Sequence, residues 1–350
     1  MIINILTFSK VYNRGANLQA YALKHYLETR GCDVYFIDLQ LPSSKDISVK
    51  GRFWAWGQNI VAGHFRRRAG FKYTQHYGST QELHNNLPYA DIYIVGSDQV
   101  WNPEITGTHD FLAYFFNFLP NNVKRISYAA SIGTDSWKYD RLTRQISEQL
   151  RKFTAISVRE ESAAAICRTE FNVNAEVVLD PTLLLREEDL LRLIGKHPII
   201  PSETTFVYLL YTGGSTVEDT KMIHKVSGNS KLSGLNIGFI SKLSTFYSIE
   251  HWLWQIACSN LIITNSFHCM VMAILLHKDF IVIPPYPGRE TRITSLLKKL
   301  CLSHRYLRSR PDIKDIRNVI ETKINYNEVE TKLQCLREDS EKFIEQNILH

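Results

Sequence analysis

Residues 2–39 specify a strand, a helix and a second strand: IINILTFSKVYNRGANLQAYALKHYLETRGCDVYFIDL. Ile2–Phe8 is a short apolar run of the kind found in buried strands, and Val34–Leu39 is another. Between them, Asn13–Asn17 contains a glycine turn, and Leu18–Thr29 repeats apolar residues three and four apart, as one face of a helix does. Because two strands joined through a helix form a βαβ unit, we predict a parallel sheet.

The same alternation continues along the chain. Apolar runs that end in turn residues predict further strands at Ile92–Val95, Arg125–Ala130, Ala155–Val158, Ala175–Leu179, Phe206–Tyr211, Leu235–Ile240, Leu261–Thr264 and Phe280–Ile283. We therefore predict an α/β protein with two doubly wound, Rossmann-like domains that face a cleft. Residues 1–182 form the N-terminal domain, residues 183–324 the C-terminal domain, and residues 325–350 a charged amphipathic helix.

Composition excludes several classes of protein. The chain has 350 residues, of which 44% are hydrophobic and 22% charged, as in a packed globular protein. Its formal net charge of +6 suits an anionic ligand or a membrane surface, and because no nucleic-acid-binding pattern accompanies it, we expect no nucleic-acid partner. Six widely spaced cysteines without a CxxC pair predict ordinary buried thiols in a reducing compartment. We expect a cytoplasmic protein, since the N-terminus lacks a signal-peptide pattern and polar residues interrupt Leu261–Pro285.

Residues 51–72 combine aromatic side chains with a basic cluster. Phe53, Trp54 and Trp56 precede Arg66–Arg68 and Lys72. This combination is typical of a helix that lies on anionic lipid headgroups. The alternative is a helix that covers the cleft and has a solvated basic end. If the segment contacts lipid, the cytoplasmic protein makes a peripheral contact with the inner membrane surface.

A glycine turn precedes the first predicted helix, within Asn13–Gln19. There, Gly15 and Asn17 would place backbone N–H groups and the positive end of the helix dipole against an anion. The pattern is neither GxGxxG nor a P-loop, so it does not predict nucleotide binding. The alternative is a simple connection between strand and helix.

The second polar cluster, Gly96–Asn102, follows a predicted buried strand. Its side chains suit a sugar, since Ser97, Gln99 and Asn102 can bond hydroxyls and Trp101 can stack on a sugar face. Asp98 is a candidate base for an attacking hydroxyl. The alternative role for Asp98 is to cap a turn or a helix.

Two later clusters also lie where a strand gives way to a helix. Arg159 could bind a carboxylate or phosphate with its guanidinium fork, unless it only pairs with a neighbouring glutamate on the surface. In Thr264–Cys269, Ser266 offers a hydroxyl and His268 an imidazole that can act as a general acid near neutral pH. A lone histidine can instead be structural.

A fifth cluster, Gly288–Arg292, follows a proline-rich loop. Arg289 and Arg292 could close over an anionic ligand, or they could be ordinary surface charge. Spacing alone assigns no Ser-His-Asp triad, metal site or glycosidase carboxylate pair. The residues by themselves therefore predict an α/β cleft for a sugar and an anion.

The order of these motifs resembles one family, the polysaccharide pyruvyl transferases. The first, Asn13–Leu23, is similar to the family segment N-x-G-A-x-L-Q-A-Y-A-L, and Gly96–Asn102 matches G-S-D-Q-x-W-N. The remaining matches, in the same order, are Ser127–Gly133, Ser157–Arg159, Leu179–Thr182 and Thr264–His268. The resemblance extends from residue 1 to about residue 300.

The resemblance implies a fold like that of GT-B glycosyltransferases and transfer of the enolpyruvyl group of phosphoenolpyruvate onto two hydroxyls of one sugar. The product is a cyclic pyruvate ketal, and the usual acceptor is a lipid-linked sugar of a bacterial capsule, exopolysaccharide or cell-wall polymer. Arg159 falls at the family's phosphoenolpyruvate-binding arginine and His268 at the histidine of its R-x-H motif. Ser266 stands where some members have the second arginine, and Arg289 or Arg292 is the hypothetical substitute.

These matches assign roles as expectations. His268 is the general acid and Asp98 the base or orienting group. Donor contacts are expected from Arg159, Ser266, Arg289, Arg292, Gly15 and Asn17, and acceptor contacts from Ser97, Gln99, Trp101 and Asn102. We expect neither a metal nor another cofactor, because arginines and helix ends can neutralise the donor.

Two other functions compete with this interpretation. One is a GT-B glycosyltransferase that uses a nucleotide sugar, although Thr264–Cys269 lacks the usual acidic and glycine-rich signals and Gly213-Gly214 is a weak one. The other is a non-catalytic scaffold of polysaccharide assembly. The aromatic and basic segment and the serine at position 266, where some family members have an arginine, are consistent with this alternative.

Overall fold

The computed structural model describes residues 1–40, 49–107, 111–210, 231–234, 247–284, 290–307 and 313–349, with side chains omitted for residues 49–55, 231–234, 313–315 and 317. The chain divides into two compact units. Unit 1 comprises Met1–Leu184 and Cys335–His350, and unit 2 comprises Leu185–Gln334. The C-terminal segment thus returns to the N-terminal unit.

Unit 1 contains a seven-stranded sheet in which every described pairing is parallel. Its strands are β1 (Ile2–Leu6), β2 (Asp33–Leu39), β3 (Tyr73–Tyr77), β4 (Ile92–Val95), β5 (Arg125–Ala130), β6 (Ala155–Val158) and β7 (Glu176–Val177). Their order in the sheet is β3-β2-β1-β4-β5-β6-β7. The order reverses at β1, which gives the doubly wound pattern of open α/β sheets.

The helices of unit 1 connect these strands. They are α1 (Arg14–Glu28), α2 (Val49–Arg68), α3 (Thr80–Asn85), α4 (Pro103–Thr106), α5 (Asp140–Leu150) and α6 (Glu161–Thr169). α1 begins four residues before the predicted Leu18, because the Asn13 side chain accepts a hydrogen bond from the N–H of Ala16 and caps the helix there. Residues 51–68 are indeed helical, as both interpretations of that segment require.

Unit 2 contains a smaller parallel sheet. Its described strands are β8 (Ser202–Tyr208), β9 (Lys231–Gly234), β10 (Ser259–Thr264) and β11 (Asp279–Val282), in the order β11-β10-β8-β9. The described helices after Leu184 are α7 (Glu187–Ile194), α8 (Ile249–Cys258), α9 (Phe267–Leu275), α10 (Thr291–Lys299), α11 (Ile313–Glu321) and α12 (Tyr326–Ile344). The strand predicted at Leu235–Ile240 lies outside the described residues.

The core explains why the C-terminal helix belongs partly to unit 1. Phe343, Ile344 and Ile348 are buried in a cluster with side chains of the central strands, among them Ile3 and Tyr128. The last turns of the chain therefore cover apolar surface of the seven-stranded sheet. The predicted α/β class with parallel sheets and a C-terminal helix is confirmed.

Candidate functional site

The polar motifs of unit 1 follow strands that all run in one direction. Because the strands are parallel, their carboxyl ends lie at one edge of the sheet, where α/β proteins build their sites. Thr7 follows β1, Ser97 and Asp98 follow β4, and Arg159 follows β6. Asp180 comes shortly after β7. The fold therefore collects at one edge side chains that are far apart in the sequence.

Asp180 joins three of these segments. Its Oδ2 accepts hydrogen bonds from the Oγ of Ser97 at 3.2 Å and from the guanidinium Nη1 of Arg159. Its Oδ1 accepts from the backbone N–H of Thr182 at 3.0 Å and from the Thr182 hydroxyl at 2.6 Å. The carboxylate is 1% exposed, so these bonds replace the water that it loses on burial.

Arg159 lies at the centre of what we call the Arg159 cluster, formed with Asp98, Glu160 and Asp180. Its guanidinium is also 3.8 Å from an oxygen of Asp98 and 3.7 Å from one of Glu160. Burial alone would lower the pKa of Arg159, but attraction to the carboxylates of Asp180, Glu160 and Asp98 outweighs it and raises the pKa. The guanidinium is thus fixed, charged and surrounded by more negative than positive charge.

Glu160 is anchored from the neighbouring strand. Its Oε1 accepts from the Oγ of Ser131 at 2.5 Å and from the backbone N–H of Gly133 at 3.1 Å. It therefore connects the segment after β5 to the Arg159 cluster. The alternative in which Arg159 makes only a surface pair with a neighbouring glutamate is wrong, because both Arg159 and Glu160 are buried.

The loop that carries Asp98 is held by its backbone. A cis peptide bond joins Gly96 to Ser97, and Asp98 has a left-handed φ of 75°. The N–H of Ser131 donates to the Asp98 carbonyl at 3.0 Å, which ties the loop to the end of β5. The Asp98 side chain is 14% exposed. Of the three carboxylates in the Arg159 cluster, it is the one most open to solvent.

The structure corrects the expectation for Trp101. The Trp101 ring is fully buried and stacks on Phe115, with ring centroids 5.0 Å apart, and its indole N–H donates to the Tyr114 carbonyl at 2.9 Å. Both faces and the polar atom of the indole therefore serve the core of unit 1. This side chain does not offer a face to a sugar.

The other proposed acceptor residues are polar and buried. The amide of Asn102 donates to the Gln99 side-chain oxygen at 2.8 Å, and the Asn102 oxygen caps α4 by accepting from the N–H of Glu104 at 3.0 Å. Ser97 is fully buried and donates to Asp180. These contacts give the three residues structural roles in the loop that presents Asp98.

Asn17 and Gly15 lie buried at the start of α1. The Asn17 amide donates to the carbonyls of Val11 and Asn13 at 2.8 and 2.7 Å, which closes the turn before the helix. Gln19, two residues after Asn17, donates to the Thr7 hydroxyl at 3.0 Å. The first turn of α1 is thus built into the same edge of the sheet as the Arg159 cluster.

In unit 2 the corresponding turn follows β10. The Ser266 hydroxyl caps α9 by accepting from the N–H of Cys269 at 3.4 Å, and His268 stands in the first turn of that helix with 9% of its surface exposed. The Arg292 guanidinium lies 5.9 Å from the centre of the Phe267 ring. Arg292 therefore shares the neighbourhood of His268, whereas Arg289 lies outside the described residues.

Metal-binding clusters and membrane-spanning helices are absent from the described residues. No group of three or more His, Cys, Asp or Glu side chains in that part of the chain could hold a metal ion. Among the helices whose residues are described, none is long and apolar enough to cross a membrane.

Sequence reasoning missed the partner of Arg159. The sequence identifies Leu179–Thr182 as a motif without indicating its role, and it indicates only a surface pairing for Glu160. A buried aspartate directly after a short strand was the available signal. Its pairing with an arginine 21 residues earlier depends on β6 and β7 being neighbours in the sheet.

Comparison with known proteins gives a family and a fold. The family model described as polysaccharide pyruvyl transferase matches residues 13–285. No curated protein matches the sequence. Among solved structures, Arabidopsis thaliana UGT89C1 complexed with UDP is 12% identical, with a TM-score of 0.53 and coverage of 97% of this chain and 94% of that one. A UDP-glucosyltransferase from Polygonum tinctorium is 9% identical, with a TM-score of 0.52 and coverage of 97% and 94%. These GT-B glycosyltransferases share the fold, and at such identities the likeness extends no further.

Proposed function

The chain belongs to the polysaccharide pyruvyl transferase family and is a transferase, and from that premise we propose its donor, its acceptor and the residues that act. The donor is phosphoenolpyruvate, and the acceptor is a pair of hydroxyls on one sugar of a bacterial surface-polysaccharide precursor, such as that of a capsule or an exopolysaccharide. The acceptor is lipid-linked and the enzyme works in the cytoplasm.

The proposed reaction balances without a further reactant. A proton adds to the methylene carbon of phosphoenolpyruvate and makes C2 electrophilic. One sugar hydroxyl attacks C2 and loses its proton, the C2–O bond to phosphate breaks, and the second hydroxyl closes the ring as its proton leaves. The products are the pyruvate ketal and inorganic phosphate, which carries away one of the two hydroxyl protons. The enzyme must therefore supply an acid, a base and charge for the donor.

Residue roles follow from chemistry and position. We assign proton delivery to His268, in the first turn of α9, and hydroxyl orientation or deprotonation to Asp98. Arg159 and Arg292 are the proposed cations for the donor, with Arg289 as a third. The proposed remaining donor contacts are Ser266 and the first turn of α1, with Gly15 and Asn17.

One observation carries the proposal: the Asp98 carboxylate lies 3.8 Å from the buried Arg159 guanidinium at the carboxyl edge of the large sheet. A fixed cation beside a partly exposed carboxylate can position that carboxylate next to a hydroxyl. Because three carboxylates already face Arg159, a donor anion would have to compete with them for its guanidinium. Arg292, whose guanidinium lies 5.9 Å from the ring of Phe267 beside His268, is the sharper test for the donor phosphate.

The first experiment is calorimetric titration of phosphoenolpyruvate into the wild-type protein, Arg159→Ala and Arg292→Ala, with UDP-galactose as the comparison ligand. Arg144→Ala is the matched control, since that side chain is 91% exposed and pairs only on the surface with Glu148. We expect wild-type and control to bind phosphoenolpyruvate, and at least one of the other two variants to lose the binding. Binding of UDP-galactose instead would favour a glycosyltransferase. No binding of either ligand would favour a scaffold or an ordered mechanism in which the acceptor binds first.

The assignment of His268 needs a separate measurement. His268→Gln should retain binding of phosphoenolpyruvate but release phosphate at least about 100-fold more slowly once an acceptor is known, because general acid catalysis contributes at least that much. Asp98→Asn should behave similarly with respect to the donor. Full activity of His268→Gln would remove the histidine from the mechanism. If Arg289→Ala and Arg292→Ala both left the donor KM unchanged, their roles would be dropped.

A further inference from the structure

Helix α2 has one face packed on the rest of unit 1 and one face turned to solvent. Phe65 and Ala62 are buried, and the Phe65 ring contacts those of Tyr21 and Phe71. From the same side, Arg66 donates to the side-chain oxygen of Asn17 at 3.3 Å. These contacts fix the rotation of the helix about its axis, so the direction of every other described side chain follows from the helical period.

The opposite face carries apolar side chains where solubility alone would favour polar ones. Trp56 is 61% exposed and Ile60 is 48% exposed. At about 100° per residue, Trp56, Ile60 and Arg67 fall within roughly 40° of one another around the axis, on the side away from Phe65. We call these three residues the outer face of α2. The exposed side chains of His64 and Arg68 flank this face, with Arg68 about 80–120° around the axis from its members. A tryptophan and an isoleucine one turn apart on a solvent-facing surface are typical of a contact site.

Charge identifies the partner. Residues 49–68 contain five basic residues and no aspartate or glutamate, whereas the whole chain has 41 basic and 35 acidic residues. Arg67 and Arg68, at the end of the helix, lie about two to three turns from the apolar pair. This matches a geometry with the indole at the headgroup level and the guanidinium groups against lipid phosphates. A nucleic acid would use the arginines but would leave the aliphatic side chain of Ile60 without a role.

We propose that the outer face of α2 docks the protein on an anionic phospholipid surface. Trp56 and Ile60 insert at the boundary between headgroups and acyl chains, and Arg67 and Arg68 contact the phosphates. The inner face keeps its contacts with α1 during docking, so α2 lies in the plane of the interface. The inference rests on the surface of unit 1 and holds whether or not the proposed reaction is correct.

Vesicle sedimentation tests the proposal. The full chain is mixed with vesicles of pure phosphatidylcholine or of phosphatidylcholine with phosphatidylglycerol, and the bound fraction is measured at low and high salt. We expect binding to the anionic vesicles only, weakened by salt because ions screen the arginines. Arg67→Gln/Arg68→Gln should weaken partitioning by roughly 25-fold, at about fivefold for each lost charge. Trp56→Ala should weaken it about tenfold.

Matched variants separate docking from general surface charge. Arg151→Gln/Lys152→Gln removes an exposed basic pair elsewhere on unit 1 and should leave partitioning within about twofold of wild type. Tyr89→Ala is the control for Trp56, since Tyr89 is 73% exposed. Circular dichroism verifies that each variant is folded. Wild-type protein that stays in the supernatant with anionic vesicles, or equal losses in the test and control pairs, would overturn the proposal.

Discussion

Replacing Asp180 by asparagine tests how the candidate site of unit 1 is held together. The carboxylate accepts from Arg159 and Ser97 through one oxygen and twice from Thr182 through the other. An asparagine has one accepting oxygen and one donating NH2 group. In either orientation the NH2 group therefore faces hydrogen-bond donors, either those of Arg159 and Ser97 or those of Thr182. The substitution therefore loses an ion pair and two or more hydrogen bonds without changing the size of the side chain.

The expected cost follows from burial. Removing one member of a buried ion pair typically costs about 3–5 kcal/mol, because the other charge is left without compensation. Glu160 and Asp98 still lie within 4 Å of Arg159, so we expect the lower end, about 3 kcal/mol. For a unit of roughly 200 residues this corresponds to a decrease in Tm of about 6–12 °C.

Differential scanning calorimetry of wild type, Asp180→Asn and Glu148→Gln makes the comparison. Glu148 pairs with Arg144 in the same unit, but both side chains are exposed, so its loss should cost no more than about 0.5 kcal/mol. Equal Tm changes in the two variants would refute the argument that burial makes the Arg159 cluster strong. If Asp180→Asn does not fold, Thr182→Val removes the 2.6 Å hydroxyl contact alone and should cost about 1–1.5 kcal/mol.

Three more outcomes are expected. The backbone N–H of Ile2 donates to the Asp91 carboxylate at 2.7 Å and lowers the pKa of that carboxyl from its ordinary value of 3.8. Asp91→Asn should therefore lower Tm near neutral pH. The difference in Tm between the variant and wild type should vanish as the pH falls through the folded-state pKa of Asp91. Gly96→Ala would place its Cβ 2.3 Å from a carbonyl oxygen at a φ of +109°, so urea unfolding should show a loss of about 3 kcal/mol or more. Gly78→Ala is the control, since its Cβ would lie 3.6 Å from the nearest atom and its φ is not positive; it should change the free energy of unfolding by no more than about 1 kcal/mol. Similar losses in both variants would contradict the clash. The prediction of buried thiols is wrong for Cys301 and Cys335, which are exposed. A thiol reagent should label these two rapidly and the four buried cysteines only on unfolding. Fast labelling of more than two thiols would contradict the described burial.

The sequence by itself located the central strands. Ile92–Val95, Arg125–Ala130 and Ala155–Val158 have the same bounds in the structure as in the prediction. This succeeded because strands covered on both faces of a parallel sheet are apolar along most of their length. The edge strand Tyr73–Tyr77 escaped prediction, since most of its side chains are partly or fully exposed and it lacks such a run.

The sequence also indicated that polar residues after those strands form a site, but only the tertiary structure decided what each one contacts. Asp180 meets Arg159 from 21 residues away and Ser97 from 83 residues away. Trp101, four residues from Ser97 in the same motif, turns into the core instead. Local patterns record the burial of a segment, whereas the partner of a side chain depends on which strands are neighbours in the sheet. That order, β4-β5-β6-β7, comes from the packing of the whole unit.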